Sequence, residues 1–169
     1  NNLYGLDIDD RAGQLAYFAV MMKARQYNRR IFKDRIKCNL FSIKESNSIN
    51  LSHVRTIERE DAHSDLEEFI KYLKDAKEYG SILKIPEYHW SNMLEVVDKY
   101  SLSGQISIET VNIDNTISEL KKLINIGRIM TLKYQVVCTN PPYLGSGRFS
   151  PKLDKYVKNN YDIVKNDLS

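Results

Sequence analysis

Apolar and polar residues recur along the chain with two different periods, and the switches between them outline its elements. Leu3-Tyr4-Gly5-Leu6-Asp7-Ile8 is a short apolar run that ends on acidic residues, as a buried strand does. Ala12, Leu15, Ala16, Ala19 and Met22 then repeat at intervals of three and four, which predicts an amphipathic helix over residues 10 to about 32, N-capped by Asp9 or Asp10. Arg25, Arg29 and Arg30 suit its last turns, where the helix dipole favours cations. The apolar run 36–43, bounded by charges, predicts a second strand, and strand, helix, strand in this order is the pattern of a parallel unit.

Residues 45–61 are polar without a clear period and read as a loop or insertion. Ser64-Asp65-Leu66-Glu67 has the capping-box pattern, opening a helix with Leu66, Phe69, Ile70, Leu73 and Ala76 on one face and Gly80 as its stop. A short strand over 82–85 and helices over 90–100 and 115–131 follow, separated by a break at 101–104. The β-branched run 134–139 predicts a third buried strand that enters Asn140-Pro141-Pro142-Tyr143, where two prolines stop it. After the loop of Gly145-Ser146-Gly147, Ser150 and Pro151 open a helix as N-cap and first helical residue. The chain thus divides into a strand-bearing stretch 1–44, a mainly helical stretch 45–132 and a closing stretch 133–169.

The chain has 169 residues, 42% hydrophobic and 28% charged, enough for one domain with a real core. No apolar run is long enough for a membrane helix and no signal-peptide pattern is present, so a cytoplasmic protein is expected. Cys38 and Cys138 each sit in an apolar run, the place of a buried thiol rather than a disulfide framework. A net charge of +3 identifies no partner by itself.

Asn140-Pro141-Pro142-Tyr143 carries the sharpest chemical signal, because average residue usage gives this tetrapeptide about once per several hundred thousand positions. It also stands at the carboxyl end of an expected strand, where open α/β sheets bind ligands. The exocyclic amine of adenine is a poor nucleophile, its lone pair being delocalised into the ring. The side-chain oxygen of Asn140 and the carbonyl of Pro141 supply acceptors for its two hydrogens, on a backbone that the prolines stiffen. Tyr143 offers a face on which an extruded base can stack, worth about 1–3 kcal/mol. Methyl transfer to such an amine needs neither a metal nor a covalent intermediate. His53, His63 and His89 share no ligand spacing with one another or with the cysteines.

With these residues the chain resembles the amino-methylating DNA methyltransferases of the class I, S-adenosylmethionine-dependent fold, whose fourth motif Asn140 to Tyr143 match without substitution. Gly5-Leu6-Asp7-Ile8-Asp9 resembles the second motif, which implies that Asp7 binds the donor's ribose hydroxyls and Ile8 its adenine ring. Asn2 to Asp9, Ala19 to Arg25, Ala76 to Leu83 and Asn140 to Gly145 are similar to the large adenine methylases of combined type II restriction-modification enzymes and of phage-exclusion (BREX) systems. The resemblance implies an α/β fold, a partial Rossmann-like class I methyltransferase sheet of strands two, three and four with a mainly helical insertion. It implies S-adenosylmethionine as methyl donor and, as partner, double-stranded DNA with a flipped adenine. The third motif is left open between Asn39, Ser42 and Glu45.

The family's first motif, an Asp-Pro-x-x-Gly-Ser-Gly-like loop for the methionine part of the donor, does not occur in these residues, so the chain reads as an internal fragment that is inactive alone. In the resembled sheet strand one lies between strands two and four. Two repairs are therefore expected: residues 3–7 pair directly with 134–139, or a second copy covers the edge as a dimer. Arg148, Lys152, Lys155 and Lys158 form a basic stretch beside the tetrapeptide, a solvated helix face or a phosphate contact. Two further functions compete: a protein-glutamine or RNA methyltransferase, against which the long helical stretch argues, and a non-catalytic interaction module.

Overall fold

A computed structural model describes residues 3–58, 65–102, 110–139 and 148–161. The amino-terminal unit is β1 (Tyr4–Asp7), α1 (Asp10–Tyr27) and β2 (Asn39–Ser42), with the strands parallel and in register from Tyr4 opposite Asn39 to Asp7 opposite Ser42. This bears out the strand, helix, strand order, although the second strand is shorter than expected and the first is not buried, Leu3, Leu6 and Ile8 being exposed where no element covers that face among the described residues. Asp9 is the N-cap of α1, its carboxylate accepting from the backbone N–H of Arg11 and Ala12. Because α1 ends at Tyr27, Arg25 lies in its last turn whereas Arg29 and Arg30 lie beyond it.

The expected inward face of α1 is corrected. Leu15 and Met22 point to solvent at 68% and 44% exposure, while Met21 is buried and Gly13, Tyr17, Val20 and Ala24 are half-buried. The helix carries two apolar stripes, and the sheet takes the one that allows close approach. A Cβ on Gly13 would stand 2.6 Å from Ser42 Oγ, so glycine here sets the distance between α1 and β2.

The helical stretch holds α2 (Leu51–Glu58), α3 (Leu66–Tyr72), α4 (Ala76–Tyr79), a 3-10 turn (Gly80–Ile82), α5 (Trp90–Leu102) and α6 (Thr110–Thr131). The main core lies here: Val54, Ile57, Phe69, Leu73, Val97, Leu120 and Ile124 pack into one cluster, which Ile43 joins from the end of β2. The face expected for the helix after the capping box, Leu66, Phe69, Ile70, Leu73 and Ala76, is buried throughout. That helix is nevertheless two, because Asp75 takes a left-handed conformation (φ 57°) between α3 and α4. Its carboxylate and backbone N–H pair reciprocally with the side-chain amide of Asn47. The stop at Gly80 holds, with φ 53°.

Three local expectations fail for physical reasons. The polar stretch 45–61 contains α2, whose inward face is only Leu51, Val54 and Ile57, with Asn50 Oδ1 accepting from Ser52 N at its start. Residues 82–85 form no strand, because the carbonyl of Ile82 and the N–H of Lys84 bond to the hydroxyls of Tyr161 and Tyr156 instead of a ladder. Residues 134–139 are irregular as well, and Val136 is 85% exposed. An extended segment is held as a strand by a neighbour that takes its backbone groups, and among the described residues β1 pairs with β2 alone. Strand four of the expected sheet is therefore absent from these residues, and Cys138 is exposed, not buried. The direct repair of the sheet edge does not occur; Tyr4 and Tyr134 meet only through their rings, 5.5 Å apart and edge to face.

The closing helix, α7 (Pro151–Asn160), has Ser150 as N-cap and Pro151 in its first turn, as expected. Leu153 and Val157 are buried, Tyr156 stacks on Tyr79 and Ser150 Oγ donates to Glu78, which fixes α7 to α4. No helix among the described residues is long and apolar enough to cross a membrane.

Candidate functional site

The carboxyl ends of two parallel strands and the amino terminus of the helix between them converge on one place. Asp7 ends β1 half-buried, with its backbone carbonyl accepting from Ile43 N (2.7 Å) and Oδ1 accepting from Asp9 N (2.8 Å). The second bond turns the chain sharply out of the strand and holds the carboxylate against the start of α1. Oδ2 accepts no hydrogen bond among the described residues, so it is available to a hydroxyl. Ile8 follows at 51% exposure, with Cγ2 facing Gly80.

An open pocket of about 500 Å³ lies here, lined by Ile8, Asp9, Asp10, Arg11 and Lys77. Its polar wall is an ion-pair network. Lys44 Nζ stands 2.6 Å from Asp10 and Lys77 Nζ 3.6 Å from it. The hydrogen bond from Lys44, more than the charge of Lys77, holds the Asp10 carboxyl below its ordinary range. Glu45 Oε1 in turn accepts from Lys77 N (3.2 Å), tying the exit of β2 to α4.

The three candidates for a third polar contact are thereby separated in space. Ser42 lies opposite Asp7, and Glu45 holds Lys77, so both are at the pocket end of the sheet. Asn39 is at the other end of β2, opposite Tyr4 and donating to the carbonyl of Leu3. Lys77 and Gly80 lie in the stretch Ala76 to Leu83 that resembles the large adenine methylases, but the sequence assigns neither a role of its own; the fold brings them beside Asp10 and Ile8.

Asn140, Pro141, Pro142 and Tyr143 lie outside the described residues, as does His63. Of the described residues on either side of the tetrapeptide, Tyr134 meets Tyr4, at the end of β1 away from the pocket, and Ser150 is bonded to Glu78, the neighbour of Lys77. Of the basic stretch that follows, Lys152 pairs with Asp75 and Lys158 with Asp154, while Arg148 and Lys155 stay exposed. His53 Nδ1 meets Thr116 Oγ1 at 3.1 Å, a structural contact between α2 and α6.

The sequence profile described as "Eco57I restriction-modification methylase" matches residues 1–169. Two curated relatives match nearly the whole chain. The adenine-specific methyltransferase PglX of Lacticaseibacillus casei (strain Zhang) is 34% identical over 171 residues, covering 99% of this chain and 14% of that protein. The adenine-specific methyltransferase BrxX of Escherichia coli O9:H4 (strain HS) is 29% identical over 195 residues, covering 99% of this chain and 16% of that protein. The chain thus spans about a seventh of the length of these relatives.

Proposed function

Because this chain belongs to the Eco57I restriction-modification methylase family, we propose that the protein that carries it methylates the exocyclic amine of adenine in DNA, with S-adenosylmethionine as donor, in restriction-modification or phage defence. The observation that carries the reading is the position of Asp7 and Ile8. A carboxylate with one oxygen unbonded among the described residues and an exposed apolar side chain stand side by side at the carboxyl end of a parallel strand, and the second of them lines an open pocket.

These residues fit one half of the donor. Asp7 Oδ2 accepts from a ribose hydroxyl while Asp9 N–H fixes the carboxylate's direction, and Ile8 gives the purine ring an apolar surface against the backbone of Gly80. β1 and β2 take the places of strands two and three in a Rossmann-like class I sheet. When bound, the donor supplies an electrophilic methyl group on a sulfonium. The chain's own part is to hold the acceptor: Asn140 and Pro141 accept from the amine and draw its lone pair out of the ring, and Tyr143 stacks on the flipped base. The family match favours this reading over a protein-glutamine or RNA methyltransferase and over a non-catalytic interaction module.

The chain by itself supplies the ribose and purine contacts but no loop for the methionine part of the donor. Isothermal titration of S-adenosylmethionine into the 169-residue chain is expected to show weak binding or none, and no methyl transfer. Submillimolar binding would place the donor site elsewhere. In the complete protein, Asp7→Ala is expected to weaken donor binding at least tenfold; unchanged binding would remove Asp7 from the site.

A further inference from the structure

The basic residues of this chain are gathered at one place. Residues 23–37 hold seven Lys and Arg against a single Asp34, while the remainder has eighteen basic residues against twenty-one acidic. All seven are exposed, and none makes a salt bridge among the described residues. Elsewhere Lys44, Lys77, Lys152 and Lys158 do pair, with Asp10, Asp75 and Asp154.

The segment is built, not frayed. After α1 ends, Ile31 is buried as an anchor, and Ile36 N–H donates to the carbonyl of Ile31 while Arg35 N–H donates to that of Phe32. This is the closing pattern of a helical turn, with Arg35 at φ 51° in the left-handed position that glycine usually fills. An arginine held there, against its backbone preference, points to a use for the charge. Two other cations lie over exposed rings: Lys23 at 5.7 Å from the Tyr27 centroid and Arg25 at 5.2 Å from that of Phe32. Protein surfaces ordinarily intersperse both signs, so a one-signed platform with interleaved aromatics matches a uniform polyanion better than a protein partner.

We propose that residues 23–37 form a contact surface for the phosphate backbone of duplex DNA, separate from the base-binding site and indifferent to sequence. The choice of DNA as the polyanion rests on the function proposed above. The surface stands at the carboxyl end of α1 and the pocket at its amino end, about 27 Å apart for 18 residues. Contact here needs no target adenine, and Arg29, Arg30 and Lys33 each neutralise phosphate and release counterions.

The test is fluorescence anisotropy of the 169-residue chain with two duplexes, one of G·C pairs alone and one of mixed sequence, over a range of salt. Both are expected to bind alike. The triple variant Arg29→Ala, Arg30→Ala, Lys33→Ala is expected to bind at least tenfold more weakly at low salt, with a log affinity against log salt slope shallower by about 3. Arg35→Gly is expected to lose affinity severalfold without a lower melting temperature, which separates the charge from the fold. Wild-type slope and affinity in both variants would overturn the proposal. So would absence of duplex binding by the wild-type chain, or binding of polyglutamate as tight as that of DNA. Since a G·C duplex has no adenine, these outcomes do not depend on adenine methylation, and a failed methylation assay would leave them standing.

Discussion

The amino-terminal β1-α1-β2 unit and the helical stretch that follows carry equally clear hydrophobic patterns, yet only the second buries its pattern within this chain. Phe69, Leu120 and Ile124 vanish into a shared core, whereas Leu15 and Phe18 on α1 remain 68% and 62% exposed. Periodicity therefore reports that a face is to be covered, not what covers it. The residues proposed for the site follow the same division. The helical stretch supplies the rigid body, and the open unit presents Asp7 and Ile8 at its edge.

The largest effect that would break this contrast is in the helical core. Phe69 is fully buried with its ring edge to face against Tyr88 and Trp90, so Phe69→Ala is expected to cost about 3–5 kcal/mol in urea unfolding. A cost under about 1 kcal/mol would mean that this stretch is not the stable body.

Two neighbouring methionines of α1 give the next test. Met21 is 6% exposed and meets the thiol of Cys38, while Met22 is 44% exposed. Met21→Ala is expected to cost about 2 kcal/mol and Met22→Ala less than about 0.5 kcal/mol. Equal costs would show that both apolar stripes of α1 are covered in solution.

The junction between the regions is smaller but specific. Ser46, buried just after β2, donates from Oγ to the carbonyl of Ile70 (2.6 Å) and from its N–H to that of Leu73, capping the end of α3 from a distance. Ser46→Ala leaves the Ile70 carbonyl without that donor and is expected to cost about 1–2 kcal/mol. If amide exchange slowed by the fold were lost only in α1 and not at α3, the two regions would be coupled differently from this account.

What the sequence displayed, and what it did not, follows from the range of the interactions involved. The caps at Asp9 and Ser150, the parallel unit and the buried face of Leu66, Phe69 and Ile70 rest on neighbours within a few positions, and they were legible. The stripe of α1 chosen by the sheet, the left-handed break at Asp75 and the loss of the strand at 134–139 depend on partners tens of residues away or on the presence of a pairing strand. At the proposed site, Asp7 and Ile8 are marked only through the resemblance of Gly5 to Asp9 to the second motif. Lys77 and Lys44 are not, because only the fold brings them to Asp10.

The smallest effect expected is a pH dependence on the helical side of the comparison. Hydrogen bonds from Arg55, then from Lys71, hold the Glu67 carboxyl at about 2. A carboxyl lowered in the folded state stabilises above its unfolded range, near 4.5, and that contribution is lost as pH falls toward 2. Glu67→Gln is therefore expected to lower the urea midpoint at pH 7 and to lower it much less at pH 2. A difference independent of pH would assign the effect to packing.

The proposed chemistry is tested most directly by single-turnover methylation of an adenine-containing duplex by the complete protein, comparing wild type with Asn140→Ala under saturating donor and DNA. Asn140 acts on the amine as its lone pair is drawn out, so the account predicts a rate lower by about a hundredfold with DNA binding retained. Methylation by Asn140→Ala at the wild-type rate would contradict it.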